Sequence, residues 1–130
     1  MNNTVVLDAS ALLALIQNEK GADVIKPLLK GAVMSTVNVA EVLTILQQRV
    51  DMLPKDAVKS VIDIIQEIVL FDIEQAQCVA ESQPYVRHKG LSLGDRACLA
   101  LGQKLKAPIY TADKIWGELK IENITINLIR

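Results

Sequence analysis

Short apolar runs alternate with amphipathic stretches along the whole chain. Five of these runs contain enough β-branched and aliphatic residues, without interruption, to predict buried strands. They are TVVLD at 4–8, VMST at 33–36, IVLFDI at 68–73, PIYTAD at 108–113 and ITINLI at 124–129. Continuous apolar strands are typical of parallel sheets, whose strands are covered on both faces.

The stretches between the runs have helical periodicity. Val39, Val42, Leu43, Leu46 and Val50 form one apolar stripe, and such spacing predicts a helix with one buried face. Further helices are predicted from about Ser10 to near Gly21, up to Gly31, from Pro54 to Ile65, from about Glu74 to Gly90 with a break at Pro84, over 92–108, and as a short turn at 114–119.

This alternation predicts the fold class. Strands that alternate with helices imply right-handed crossovers and helices on both faces of the sheet. We therefore expect a small doubly wound α/β domain, three layers deep (α/β/α), with a mainly parallel five-stranded sheet. No repeat, linker or low-complexity tract divides the 130 residues, so residues 1–130 are predicted to form a single domain.

Composition narrows the functional classes. Hydrophobic residues make up 51% of the chain and aromatic residues only 3%, which predicts an aliphatic core. A net charge of −1 gives no global attraction to nucleic acid, although a bound metal ion can supply local positive charge. Without a signal peptide or a long apolar run, a cytoplasmic protein with no membrane contact is expected. Cys78 and Cys98 are predicted to be reduced core residues.

Four acids lie where predicted strands end or where the following helices begin. Asp8 ends the first strand, Asp113 follows the fourth, and Glu41 and Asp95 lie in the first turns of predicted helices. Because the carboxyl ends of parallel strands meet at one edge, where open α/β folds bind ligands, we expect the four to lie near one another. Taken singly, each acid is explained at least as well by a purely structural role, as a helix cap or a first-turn acid, as by a functional one.

A cluster of these acids favours a metal ion. Two carboxylates about 4 Å apart repel by about 1 kcal/mol in water and by about 4 kcal/mol at an effective dielectric of about 20. Hard divalent ions such as Mg²⁺ or Mn²⁺ prefer oxygen ligands and relieve this repulsion. Such an ion suits phosphodiester hydrolysis. Ser10, Asn38 and Thr111 can donate hydrogen bonds to the carboxylates or to bound water.

At these residues the chain resembles the PIN domain, specifically the VapC-type toxins of bacterial toxin–antitoxin pairs. The resemblance covers the whole chain in order and spacing, through VVLDASALLAL, STVNVAEVL, GLSLGDRACLALGQKL and PIYTADKIW. It implies that Asp8, Glu41, Asp95 and Asp113 are the catalytic, metal-ligating acids and that Ser10 and Thr111 occupy the family's hydroxyl positions. Asn38 stands where such toxins often have Thr or Ser.

The resemblance also implies an activity and partners. The implied activity is endoribonuclease cleavage of RNA that depends on Mg²⁺ or Mn²⁺. The implied partners are the RNA substrate and a cognate VapB-like antitoxin that covers the site, and such toxins commonly form homodimers.

Charged and aromatic residues outside the quartet have competing interpretations. Arg87, Lys89 and Arg96 are candidate RNA contacts, but a solvated charged face explains them nearly as well, and Arg96 could pair with an acid. The single histidine, His88, is predicted at the surface. Trp116 is predicted to pack in the core rather than to stack on a base.

Two alternatives remain open from sequence. A catalytically inactive PIN-like module would bind a partner or RNA without cleaving it. A haloacid-dehalogenase-like phosphatase also has an acid after its first strand, but it needs a second acid two residues later, where this chain has Ser10.

Overall fold

A computed structural model describes residues 3–130, which form one five-stranded sheet flanked by helices. The strands are β1 (Val5–Leu7), β2 (Ala32–Ser35), β3 (Glu67–Val69), β4 (Ile109–Thr111) and β5 (Ile126–Leu128). The helices are α1 (Ala9–Ile16), α2 (Ala22–Ile25), α3 (Thr36–Val50), α4 (Pro54–Ile64), α5 (Ile73–Glu81), α6 (Gln83–Val86) and α7 (Leu93–Leu105), with 3-10 segments at Lys26–Gly31 and Lys114–Glu118.

The sheet is parallel throughout and has the order β3-β2-β1-β4-β5. From β1 the chain moves outward to β2 and β3, and it then returns to place β4 on the other side of β1. The strand order therefore reverses between β1 and β4, which is the position where doubly wound sheets open a crevice at their carboxyl edge.

Two apolar cores confirm the predicted three-layer architecture. Val5 and Leu7 of β1 pack with α1, α3 and α4 on one face of the sheet. Val6 points to the other face, where it packs with α7 and with Trp116. Successive strand residues point to opposite faces, so three consecutive apolar residues serve both cores.

The third strand differs from its prediction as a buried run. It spans only Glu67–Val69, pairs with β2 alone and lies at the sheet edge. Leu70 and Ile73, which the sequence pattern placed in the strand, lie beyond its end with 74% and 86% of their surfaces exposed. An edge strand is covered less than a central one, and apolar composition alone does not distinguish the two.

Several helix boundaries also differ from the predictions. Helix α1 ends at Ile16 rather than near Gly21. The segment up to Gly31 divides into α2 and a 3-10 turn whose second residue is Pro27, since proline lacks the amide hydrogen that an α-helix needs. The predicted break near Pro84 is confirmed by the separation of α5 from α6.

The described residues include two free thiols. Cys98 is buried, and Cys78 is half-buried with its Sγ donating to Gln103 Oε1 at 3.1 Å. Among helices within residues 3–130, none combines the length and apolar character needed to cross a bilayer.

Candidate active site

Asp8 lies directly after β1, at the reversal of strand order. It is the N-cap of α1, and its Oδ1 accepts hydrogen bonds from the Ala11 amide at 2.9 Å and from Ser10 Oγ at 2.7 Å. Its other oxygen, Oδ2, accepts from Thr111 Oγ1 at 2.5 Å. Asp8 is therefore a helix cap that also accepts a hydrogen bond from the end of the neighbouring strand, β4.

Two hydroxyl groups connect the ends of β1 and β4. Ser10 Oγ and Thr111 Oγ1 lie 3.3 Å apart. Ser10 Oγ accepts from the Ala112 amide at 2.9 Å, and Thr111 Oγ1 accepts from the Asp113 amide at 3.0 Å. These bonds fix the backbone that carries Asp113 relative to Asp8.

Glu41 approaches this edge from α3. The helix begins at Thr36, so Glu41 lies in its second turn and not in the first turn that the sequence predicted. Asn38, one turn earlier, donates from Nδ2 to Glu41 Oε1 at 2.8 Å and to the Gly94 carbonyl at 3.0 Å. One amide group thus connects Glu41 with the start of α7.

Asp95 and Asp113 are both held by caps. Ser92 and Asp95 form a capping box, in which Asp95 Oδ2 accepts from the Ser92 amide at 2.9 Å and Ser92 Oγ accepts from the Asp95 amide at 3.1 Å. Asp113 Oδ1 caps the final 3-10 turn by accepting from the Ile115 amide at 3.1 Å. In both carboxylates the second oxygen receives no hydrogen bond from the described residues.

All four acids line one open cleft of about 580 Å³. Ser10 and Gly94 also line the cleft. The remaining lining residues are mostly apolar and form what we call the apolar wall: Ala9, Leu13, Val37, Ala40, Thr44 and Ile45. The four acids nevertheless do not converge on one point. Within residues 3–130, no three acidic, histidine or cysteine side chains approach closely enough to enclose a metal ion.

Burial sets the electrostatics of Asp8. Only 5% of the residue is exposed, and the loss of hydration raises the pKa of its carboxyl from 3.8 to about 6. The hydrogen bonds from Thr111, Ala11 and Ser10 oppose that rise in pKa, and the negative charge of Asp95 adds to it. A cation in the cleft would favour the ionised form of this acid.

The donor chemistry of the cleft fits a hard divalent cation. Its lining offers carboxylate and hydroxyl oxygens, and the described residues that line it include neither histidine nor cysteine. Asn38 is 1% exposed, and its Oδ1 finds no hydrogen-bond partner among the described residues. Its amide is turned so that the NH₂ group faces Glu41, because the reverse orientation would set Oδ1 against two acceptors.

The candidate RNA contacts lie outside this cleft lining. Arg87 is exposed, with its Nε donating to His88 Nε2 at 3.0 Å, and His88 is at the surface as predicted. Lys89 is half-buried. Arg96 Nη1 bonds to Gln83 Oε1 at 3.1 Å, so its partner is an amide and not the acid that the sequence suggested.

Trp116 is fully buried, which confirms its predicted place in the core.

Sequence reasoning missed the apolar wall and Gly94. Val37, Ala40, Thr44 and Ile45 follow helical spacing with Glu41 between them, offset from the core stripe of Val39, Val42 and Leu46. A search for a second stripe on α3 would have found this wall. No local signal indicates that Gly94 contacts Glu41, since the two residues lie far apart in the chain.

The fold and the cleft together define a doubly wound α/β protein with carboxylates gathered around its topological switch point. Residues 5–122 match the PIN domain family, and the chain belongs to that family. No curated protein sequence matches the chain significantly.

Solved structures share the fold at low sequence identity. The chain is similar to DNA-bound VapBC from Salmonella typhimurium, at 12% identity and a TM-score of 0.73 over 98% of each chain. It is similar to VapBC-5 from Mycobacterium tuberculosis, a member of a family of toxin–antitoxin systems, at 18% identity and a TM-score of 0.66 over 97% of this chain and 98% of that one. VapC20 from Mycobacterium tuberculosis, a sarcin–ricin loop cleaving toxin, is 16% identical with a TM-score of 0.72 over 92% of this chain and 98% of that one.

Proposed function

We propose that this chain is a VapC-type toxin, an endoribonuclease that cleaves RNA phosphodiester bonds with the help of Mg²⁺ or Mn²⁺. The observation that carries the proposal is the placement of Asp8, Glu41, Asp95 and Asp113 around one cleft at the switch point. Membership of the PIN domain family supports it, as does the similarity to VapC20, which cleaves the sarcin–ricin loop.

The four carboxylates are the proposed ligands. Asp95 Oδ1 and Asp113 Oδ2 receive no hydrogen bond from the described residues, and Asp8 is already buried beside them. When bound, the ion supplies a water of lowered pKa and neutralises charge that develops on the phosphodiester. Because mutual repulsion keeps carboxylates apart without a cation, binding of the ion offsets the cost of drawing the acids together.

The remaining polar residues hold these acids in place. Ser10 and Thr111 donate to Asp8, and Asn38 donates to Glu41. Such supporting hydrogen bonds orient ligands and sustain metal affinity. Arg87 and Lys89 extend from the segment before α7 and are proposed to contact the RNA backbone. Arg96 contributes less in this proposal because it already bonds to Gln83.

The proposed partners, besides RNA, are a VapB-like antitoxin and a second copy of the chain. Similarity to toxin–antitoxin complexes supports the antitoxin. Its tail would cover the cleft, where the apolar wall of Leu13, Val37 and Ile45 offers a surface for apolar side chains. The homodimer is tested by light scattering on the purified chain, where a monomer mass at micromolar concentration would contradict it.

Cleavage of a panel of RNAs, including tRNA and a sarcin–ricin loop fragment, tests the proposal. We expect cutting with Mg²⁺ or Mn²⁺, none with EDTA, and none with Asp8→Asn or Asp95→Asn. Asp63→Asn is the matched control, because it removes the same charge from the exposed surface of α4 and should leave cutting unchanged. Loss of cutting in that control would mean that the losses in Asp8→Asn and Asp95→Asn are not specific to the cleft. No metal-dependent cutting by the wild type would favour an inactive binding module.

A further inference from the structure

We propose that Gly94 is a positioning residue, which by lacking a side chain lets the Glu41 carboxylate rest against the first turn of α7, beside Asp95. This inference rests on the proposed function, since it concerns how one acid of the cleft is placed. Gly94 does not touch the reacting groups in this proposal and acts through Glu41 alone.

The contact between Gly94 and Glu41 is close. Gly94 is buried and is the second residue of α7, directly before Asp95. A Cβ atom on Gly94 would lie 2.5 Å from Glu41 Cδ and 2.6 Å from Oε1, and it would overlap Oε2 as well. No side chain larger than hydrogen fits at residue 94 while the Glu41 carboxylate stays in its present place.

A second contact holds Glu41 against the same residue. Asn38 Nδ2 donates both to Glu41 Oε1 and to the carbonyl of Gly94. The amide keeps this orientation although its own Oδ1 is buried and without a hydrogen-bond partner among the described residues. An unpaired buried oxygen is costly, so the two donated bonds, both directed at the Glu41–Gly94 contact, must outweigh that cost.

The position of Gly94 matters because the next residue along α7 is Asp95. Glu41 belongs to α3 and Asp95 to α7, and the contact at Gly94 is where the Glu41 carboxylate meets the helix that carries Asp95. The start of a helix also stabilises a nearby negative charge. The first turn of α7 therefore offsets part of the repulsion between the two acids before any cation binds.

An added Cβ should displace the carboxylate more easily than it disturbs the fold. The overlapping atoms are the far end of the flexible Glu41 side chain, which is half-buried at the cleft. Gly102, eight residues later on α7, provides the contrast. There a Cβ would overlap the side chain of Ile109, which is fully buried in the core, so the clash falls on core packing and not on a group at the open cleft.

Calorimetric titration with Mn²⁺, together with thermal unfolding of the metal-free chains, tests the proposal. We expect Gly94→Ala to weaken Mn²⁺ binding by about tenfold or more, the loss typical of ligand-supporting contacts, with little change in Tm. The matched control Gly102→Ala should lower the Tm and leave Mn²⁺ affinity unchanged when measured well below that Tm. Asn38→Ala gives a second route to the same loss of affinity.

A double-mutant cycle separates positioning from a general structural effect. If Gly94 acts only through Glu41, Gly94→Ala should add no further loss of affinity in the Glu41→Gln background. An equal loss in both backgrounds, or wild-type affinity in Gly94→Ala, would overturn the inference while leaving the proposed function intact. A wild-type chain that binds no Mn²⁺ would overturn both.

Discussion

Asp8 is both a helix cap and a proposed metal ligand, and its two carboxylate oxygens have different hydrogen-bond partners. Oδ1 caps α1, whereas Oδ2 receives the hydroxyl of Thr111 from the neighbouring strand. An N-cap lies by necessity where a strand turns into a helix, which is also where the cleft opens. The cap and the proposed ligand are therefore one residue, and the two interpretations that the sequence left open for Asp8 are compatible.

The raised pKa of Asp8 predicts how stability depends on pH. The folded chain without metal holds a proton on Asp8 up to about pH 6, while the unfolded chain releases it near 3.8. Between these values the folded state binds more protons, so its stability falls as pH rises. The full shift corresponds to a loss on the order of 3 kcal/mol.

Urea unfolding in EDTA at pH 4 and pH 7.5 measures this effect. We expect Asp8→Asn to gain stability relative to the wild type as pH rises across that window, because the variant has no charge to bury. Glu67→Gln, on the exposed edge strand, should show no such gain. If the difference between Asp8→Asn and the wild type does not change with pH, the pKa of Asp8 is not raised.

At the scale of elements, the start of α7 positions two of the residues that line the cleft. Its capping box sets where the helix begins, and this start places both Gly94 and Asp95 at the cleft. The bond from the Ser92 amide to Asp95 uses backbone and carboxylate only, whereas the reciprocal bond uses the Ser92 hydroxyl. The two halves of the box can therefore be tested separately.

Ser92→Ala removes the hydroxyl half of the capping box and should cost about 1 kcal/mol of unfolding free energy. Ser92→Thr keeps a capping hydroxyl and should retain most of that stability. Urea denaturation, monitored by circular dichroism, measures the unfolding free energy of both variants. Equal stability of Ser92→Ala and the wild type would mean that water satisfies the start of α7 as well as Ser92 does.

The edge position of β3 predicts a contrast with β2. Leu70 lies past the end of β3 and is largely exposed, so Leu70→Lys should change the unfolding free energy by no more than about 0.5 kcal/mol. Met34 of β2 is fully buried, and Met34→Ala should cost about 2–5 kcal/mol. Denaturant midpoints test both, and a large loss in Leu70→Lys would indicate that a partner or a second copy covers this edge.

At the scale of the whole molecule, the reversal between β1 and β4 organises both cores and the cleft. Trp116 packs against Val6 and Ile109 on one face of these two strands, while α1 and α3 cover the other face. Both strands that open the cleft are therefore covered by apolar side chains on both faces. Asp8 and Asp113, at the ends of these strands, are therefore attached to well-packed parts of the chain.

The sequence predicts that residues 1–130 form a single domain, and a single domain of this size is expected to unfold in one cooperative step. Trp116 is the only tryptophan and is fully buried, so its fluorescence should shift to longer wavelength on unfolding. We expect the fluorescence and far-ultraviolet circular dichroism curves to coincide in urea. Two separated transitions would contradict the prediction that residues 1–130 form one domain.

The amino-acid sequence by itself determined the α/β class, the parallel sheet and the start of several elements. These depend on local signals: apolar runs such as 5–7, a first-turn proline at Pro54, and capping residues such as Asp8 and Ser92. Asp8, Asp95 and Asp113 were recognisable because each caps a helix or belongs to a capping box, whereas Glu41 lies a turn further into its helix than the sequence predicted. Boundaries were less accurate where local patterns compete, as at Pro27 and at the start of α3.

Only the tertiary structure decided the strand order, the exposed edge of β3 and the contacts that support the acids. Thr111 meets Asp8 across 103 positions of sequence, and Asn38 meets the Gly94 carbonyl across 56. Such contacts depend on how whole elements pack, and no periodicity within one element encodes them. Gly94 illustrates the difference, because a glycine is needed there only once α3 places the Glu41 carboxylate against it.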